Sequence, residues 1–165
     1  MTMRLRMILV GCVAVVLTAI IFVGPSLAGS KGDSAVGGFQ GVGGVNNVAF
    51  SAQSDANGAN PSGHLSQTIP SNDPTIPQRL DRFDVTCLVV TGNHAWIGLT
   101  PRDATTAAKF PNGRTLAVID NGPPVGGQTA DFYGYAANNK DCTKYTTVEV
   151  SNHPAYGDIS VNDAP

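Results

Sequence analysis

The chain has 165 residues, with 10 Lys or Arg against 12 Asp or Glu, and its net charge is −2. This length fits one domain. A mildly acidic chain without a basic run is not expected to bind nucleic acid or anionic lipid, because basic side chains supply most of the affinity for phosphate groups. Asp, Asn, Gly, Val and Thr are frequent, whereas Glu occurs once, at Glu149. This bias favours strands joined by tight turns over exposed helices.

Residues 1–28 are typical of a secretory signal peptide. Arg4 and Arg6 precede an uncharged apolar run, and small residues follow it up to Ala28, which is the pattern of such a segment. We expect cleavage after Ala28, which removes both arginines, lowers the net charge from −2 to −4 and leaves a secreted chain without stable membrane insertion. The alternative is an uncleaved N-terminal anchor, because the apolar run of about 17 residues approaches the length that spans a membrane.

The segment 29–44 is rich in glycine and has no sustained periodicity, so it predicts a flexible tether. A single β-domain then covers 45–165. Its strand candidates alternate apolar and polar residues between clusters of turn-forming residues. In chain order they are NNVAFSAQS (46–54), HLSQTI (64–69), LDRFDVTCLVV (80–90), HAWIGL (94–99), RTLAVID (114–120), TADFYGYA (129–136), TTVEV (146–150) and GDISV (157–161).

Local signals refine this outline. Gly92 and Asn93 separate two alternating runs, as in a hairpin with a type II′ turn. Thr100 and Pro101 suit the cap and first position of a short helix near 101–109. The fold prediction is an all-β antiparallel sandwich or flattened barrel of about eight strands with that one helix. The predicted core side chains are Val48, Phe50, Leu65, Phe83, Val85, Val89, Ile97, Leu116, Val118, Phe132, Val148, Ile159 and Val161.

Two cysteines remain after signal cleavage, because Cys12 is removed with the signal peptide. Alternation places Cys87 in the middle of a strand, on the core face with Phe83 and Val85. Cys142 lies in a polar connection, where a free thiol would be exposed. An even pair in an oxidising compartment predicts a Cys87–Cys142 disulfide.

Three aromatic residues form a candidate binding face. Tyr133 and Tyr135 are two residues apart and therefore share one face of a strand, and Trp96 lies in another strand. Exposed aromatic rings provide large contact areas in binding surfaces. The alternative is that these rings fill the core.

Residues that could carry chemistry are sparse. His64, His94 and His153 are far apart and have no paired metal-ligand spacing, and no local motif marks a catalytic serine. We therefore expect no catalytic site, no metal and no cofactor. A pocket that combines Asp120, Asp131 and a histidine would instead favour a hydrolase.

Four stretches together resemble a known group of proteins. They are ANPSGHLS (59–66), VTCLVVTGNHAWIGL (85–99), VIDNGPP (118–124) and YGDISVNDA (156–164). In this order they resemble uncharacterised secreted actinobacterial all-β domains, which carry NPSGH, a VTCL strand with V-x-GN-x-A, V-x-DNG and G-[ND]-I-x-V-x-DA. The resemblance covers most of 45–164. It implies an exported all-β domain and no particular activity.

The sequence thus predicts a secreted or cell-surface, non-enzymatic β-domain that binds an extracellular protein or a glycan or is associated with the envelope. The alternative is a small secreted hydrolase whose Asp, Ser and His residues come from different strands.

Overall fold

A computed structural model describes most of the predicted β-domain. The described residues are 32–42, 46–71, 75, 77–124, 129–137, 139–144 and 150–164. The predicted signal peptide, 1–28, and all but the last residue of the strand predicted at 146–150 lie outside them. Within the described part of the chain, no helix is long and apolar enough to cross a membrane.

Eight antiparallel strands form one curled sheet, a half-barrel, in the order β7-β6-β5-β4-β3-β2-β1-β8. The chain runs as a meander from β1 to β7, and β8 returns to pair with β1. This confirms the all-β class, and the single curled sheet agrees with the barrel alternative rather than the sandwich. The strands are β1 Ser34–Gln40, β2 Asn47–Gln53, β3 Ser62–Ile69, β4 Arg79–Thr91, β5 His94–Pro101, β6 Arg114–Ile119, β7 Phe132–Ala137 and β8 Tyr156–Asn162.

Strand β1 lies inside the segment predicted as a tether, so that prediction is wrong for Ser34–Gln40. The strand pairs with β2 on one side and β8 on the other. Its inward positions are Ala35, Gly37 and Phe39. A Cβ atom on Gly37 would lie 2.6 Å from the ring of Phe50, so the ring occupies the space of the missing side chain. The apolar alternation is therefore absent from the sequence although the strand is present.

The main core lies on the concave side of the sheet. Rings from opposite parts of the sheet meet there, since the centroids of Phe39 in β1 and Tyr133 in β7 are 4.6 Å apart. Nine of the thirteen predicted core positions are buried in this cluster, and Val161 packs against it while partly buried. Val89 packs elsewhere, Phe132 is only half-buried, and Val148 lies outside the described residues.

A β-bulge changes the direction of side chains in β4. The pairing register with β5 shifts between Val85 and Cys87, which moves the residues that follow to the opposite face. Leu88 and Val90 consequently point into the main core. Cys87 and Val89 point outward, so the prediction that Cys87 faces the core is wrong.

The predicted Cys87–Cys142 disulfide is present, with a Cα–Cα distance of 5.9 Å. It lies on the outer face of the sheet, in a small cluster with Trp96 and Ala117. Gly98 makes this possible, because a Cβ atom there would collide with the carbonyl oxygen of Lys140. The connection after β7 therefore crosses directly over β5 and brings Cys142 to β4.

The short helix α1 covers Ala104–Lys109, within the predicted region. Its cap is Asp103 and not the predicted Thr100, which belongs to β5. The Asp103 carboxylate accepts a hydrogen bond from the amide of Thr106 at 2.8 Å, as capping side chains do. The buried hydroxyl of Thr106 in turn accepts from the amide of Arg82, which attaches the helix to β4.

Candidate functional site

The two ends of the curled sheet differ in charge: one end has carboxylates and no described lysine or arginine, whereas the other has the cations together with Asp81, Asp84 and Asp103. The acidic end is where β4, β6 and β8 finish, and the basic end is where β4 and β6 begin. Every lysine and arginine among the described residues lies at the basic end or on the connection that follows β7. The carboxylates of the acidic end are Asp33, Asp55, Asp120, Asp131 and Asp163. The cations of the basic end are Arg79, Arg82, Arg102, Lys109, Arg114 and Lys140.

Carboxylates at the acidic end hold the edge of β8 that faces away from β1. Asp131 accepts a hydrogen bond from the amide of Ile159 at 2.9 Å, and Asp120 accepts one from the amide of Val161 at 3.0 Å. An edge strand presents every second amide without a ladder partner. The two carboxylates supply the acceptors that a neighbouring strand would otherwise provide.

Both oxygens of each carboxylate are occupied. The second oxygen of Asp131 accepts from the amide of Asn121, and that of Asp120 accepts from the amide of Gly122. Nearby, Asp163 accepts from the amide of Gly92 in the β4–β5 turn. Segments 85–99, 118–124 and 156–164 therefore meet here, in two turns and one strand end.

Among the described residues, Asp120 and Asp131 do not meet a histidine, whereas the pairing register places Ser51, His64 and Asp84 side by side on β2, β3 and β4 without a hydrogen bond between them. His64 is exposed on β3, the ring of His94 lies 5.8 Å from that of Trp96, and the ring of His153 lies 3.8 Å from that of Phe132. Asp120 and Asp131 come together, but within the described chain neither hydrogen-bonds to a histidine. The same residues include no group of three or more His, Cys, Asp or Glu side chains able to hold a metal ion.

The predicted aromatic face is not exposed. Trp96 and Tyr133 retain 7% and 8% of their surface, and they belong to different clusters on opposite sides of the sheet. The hydroxyl of Tyr133 accepts a hydrogen bond from the amide of Val42. Tyr135 also points inward, against Arg114. The prediction of one binding face from these three residues is therefore wrong, because the connection after β7 and the curl of the sheet cover them.

Polar side chains line the inside of the sheet at the basic end. Each lies two residues from an inward-facing residue of its own strand and therefore also faces inward: Gln67 after Leu65, Asp81 before Phe83, Arg114 before Leu116 and Tyr135 after Tyr133. The sequence analysis did not single out Gln67, Asp81 or Arg114. The signal was available, because side chains two residues apart in a strand share a face.

Asp81 is fully buried, and two cations neutralise it. Its carboxylate lies 3.0 Å from the guanidinium of Arg79 and 3.4 Å from the ammonium of Lys109. Both cations are only partly buried, so the group connects the interior to the rim. A buried carboxylate without such partners would be strongly destabilising.

Arg114 is held between two aromatic rings. Its guanidinium carbon lies 3.4 Å from the centroid of Tyr135 and 4.9 Å from that of Phe110, a stacking that arginine favours. One terminal nitrogen donates to the side-chain oxygen of Gln67 at 3.2 Å. Burial lowers the pKa of the Arg114 guanidinium and raises the pKa of Tyr135 to about 12. The phenol therefore stays protonated and remains a hydrogen-bond donor.

A polar cleft of about 390 Å³ opens beside this cluster, on the rim of the basic end. It lies between the turn that precedes β6 and the connection that follows β7. Its polar side chains come from Thr100, Asn112, Asn139 and Lys140. These groups donate and accept hydrogen bonds and carry one positive charge.

Comparison of the chain with protein-family models, curated proteins and solved structures finds no match.

Proposed function

We propose that this chain is a secreted or cell-surface, non-enzymatic β-domain that binds an anionic extracellular glycan at its basic end. The observation that carries the proposal is the separation of charge along the sheet. Although the chain is acidic as a whole, its described cations lie at or beside one polar end, where they outnumber the carboxylates among them, Asp81, Asp84 and Asp103. Such a field attracts an anionic partner and orients it toward that end.

The cleft favours a glycan over a flat protein surface. It is concave, and its amide, hydroxyl and ammonium groups suit the hydroxyls and acidic groups of a sugar chain. Secretion is supported by the signal-like segment 1–28 and by the disulfide, since disulfides persist in oxidising compartments. A binding role, rather than hydrolysis at Asp120 and Asp131, is supported by the acidic end, because backbone amides occupy both oxygens of each of these carboxylates.

The test is retention of the purified exported protein, with its disulfide intact, on immobilised anionic and neutral polysaccharides. We expect retention on the anionic material alone, weakening as salt is added. Lys140→Glu should reduce the affinity about fivefold, since reversing one exposed charge changes binding by about 1 kcal/mol.

Lys144→Glu is the matched control, because Lys144 is also exposed but does not line the cleft. It should bind as the unmodified protein does. Equal losses in the two variants, or no retention on any anionic glycan at low salt, would overturn the proposal. Turnover of a glycan or peptide would support the hydrolase instead, and binding to an acidic protein but to no glycan would overturn the choice of partner.

A further inference from the structure

The disulfide lies next to the polar cleft of the basic end. One wall of the cleft is formed by Asn139 and Lys140, which belong to the connection after β7. The opposite wall is formed by the end of β5 and the turn before β6. Cys142 comes two residues after Lys140 and is bonded to Cys87 in β4. The disulfide therefore ties one wall of the cleft to the sheet.

The backbone of this wall lies directly on the sheet. A Cβ atom on Gly98 in β5 would collide with the carbonyl oxygen of Lys140, and one on Gly113 would lie 3.0 Å from the Lys140 Cβ atom. A glycine in a strand often marks a place where another part of the backbone approaches closely. The cleft is thus complete only while the connection is held in this position.

Hydrogen bonds shape the connection more than they attach it. The Asp141 amide donates to the side-chain oxygen of Asn139 at 2.9 Å, and the Thr143 hydroxyl donates to the Asp141 carboxylate at 2.6 Å. The hydroxyl of Thr115 in β6 donates to the carbonyl oxygen of Asn139 at 2.9 Å and so joins the wall to the sheet. Because a single hydrogen bond stabilises a structure only weakly, the disulfide is the stronger of these two attachments.

Reduction of the disulfide conflicts with the packing around it. Cys142 is fully buried in the cluster with Trp96 and Ala117. Two thiols need more space than one disulfide bond, because sulfur atoms that are not bonded stay at van der Waals distance. Cys87 is fixed within the paired strands β4 and β5, whereas Cys142 lies in a surface connection. The connection is therefore the part that moves when the bond is broken.

We propose that formation of the Cys87–Cys142 disulfide switches on binding at the cleft. This inference rests on the proposed function and names its regulation. The two thiols are oxidised to the disulfide, and a small disulfide or a disulfide oxidoreductase takes up their two electrons and two protons and becomes two thiols. The chain gains its affinity for an anionic glycan in an oxidising compartment and lacks it in a reducing one.

The experiment compares retention of the oxidised exported protein and of the same protein kept in dithiothreitol, on immobilised polygalacturonate and dextran sulfate. Reduction should lower the affinity at least about tenfold, since Asn139 and Lys140 both leave the cleft and Lys140→Glu alone is expected to cost about fivefold. The matched control is the Cys87→Ala, Cys142→Ala double variant. It should bind as weakly as the reduced protein and should not respond to dithiothreitol.

Two further readouts separate release of the connection from unfolding of the sheet. Trp96 is the one tryptophan of the chain and is buried beside the disulfide, so its fluorescence should shift to longer wavelength on reduction. Trypsin should cut the reduced protein after Lys140 well before it cuts after Arg114 in β6. Cleavage at both sites at the same rate would mean that the disulfide holds the whole sheet, and would overturn the inference.

The outcomes for the two proposals differ. Equal retention of the oxidised and reduced proteins would overturn the inference and leave the proposed function intact. An unchanged Trp96 spectrum together with resistance to trypsin after reduction would also overturn it, because the connection would then stay in place. If neither form is retained on any anionic polysaccharide, the proposed function and its regulation both fall.

Discussion

Replacing Asp131 with asparagine tests whether side-chain carboxylates hold β8 in the sheet. Asp131 is fully buried, and its oxygens accept from the amides of Asn121 and Ile159, each at 2.9 Å. Asparagine has one acceptor oxygen and one donor group. One amide therefore keeps a weaker, neutral acceptor, and the other faces a donor.

The expected loss follows from these two changes. A buried amide left without an acceptor costs about 1–3 kcal/mol, and replacing a charged acceptor by a neutral one costs about 1 kcal/mol more. Removing a buried charge offsets part of the loss. We expect the free energy of unfolding to fall by about 2–4 kcal/mol, a large share of the roughly 5–15 kcal/mol typical of folded domains.

Urea denaturation measures the total, and hydrogen exchange at the amide of Ile159 measures the local effect. Exchange there should accelerate more than at Leu116, which lies in the centre of the sheet. Asp158→Asn is the matched control, because Asp158 is an exposed carboxylate on the same strand. If both variants unfold within about 0.5 kcal/mol of the unmodified protein, the carboxylate does not hold this edge and the reasoning is refuted.

Three further predictions concern the rest of the fold. Replacing both Cys87 and Cys142 with alanine should lower the free energy of unfolding by about 4 kcal/mol, the chain-entropy estimate for this loop; the separation is 55 residues, and a loss below about 1 kcal/mol in urea would contradict it. The Thr106 amide that donates to Asp103 holds the pKa of that carboxyl below its ordinary 3.8. The stability that Asp103 adds is thus complete above pH 3.8 and lost as pH falls through the lowered pKa. The difference in the free energy of unfolding between the unmodified protein and Asp103→Ala should therefore shrink in acid and stay constant in base. Because burial raises the pKa of Tyr135 from 10.0 to about 12, an absorbance titration should show a phenol ionising near pH 12 that is missing in Tyr135→Phe. The stability linked to this phenol is complete below pH 10 and lost as pH rises toward 12, and a loss already finished by pH 10 would contradict the burial of Tyr135.

Much of the fold could be predicted because it depends on local pattern. The run from Arg114 to Ile119 alternates and is bounded by turns, and it forms β6 as expected. Gly92 adopts φ +60°, as the first central position of a type II′ turn requires. Cys87 and Cys142 pair as predicted from the even number of cysteines that the expected cleavage would leave. In each case the deciding information lies within a few residues or in residue type.

The missed features depend on contacts between distant residues. Strand β1 is hidden because the ring of Phe50 replaces the side chain that Gly37 lacks. The bulge between Val85 and Cys87 exchanges the inward-facing and outward-facing positions of β4, and no glycine in the sequence indicates it. Trp96 is buried because a connection far along the chain crosses over β5. Local alternation contains none of this information.

The two ends of the sheet also differ in how the inside of the sheet is filled. At the acidic end the sheet closes through carboxylates that accept from amides, and such acceptors work without neighbouring cations. At the opposite end, inward positions carry Gln67, Asp81 and Arg114 instead of apolar side chains. A core extended to that end would bury more apolar surface and would not need the Arg79–Asp81–Lys109 group to neutralise a buried charge. Polar residues at positions where packing favours apolar ones are typical of sites that bind a ligand, which supports the proposed binding role of the basic end.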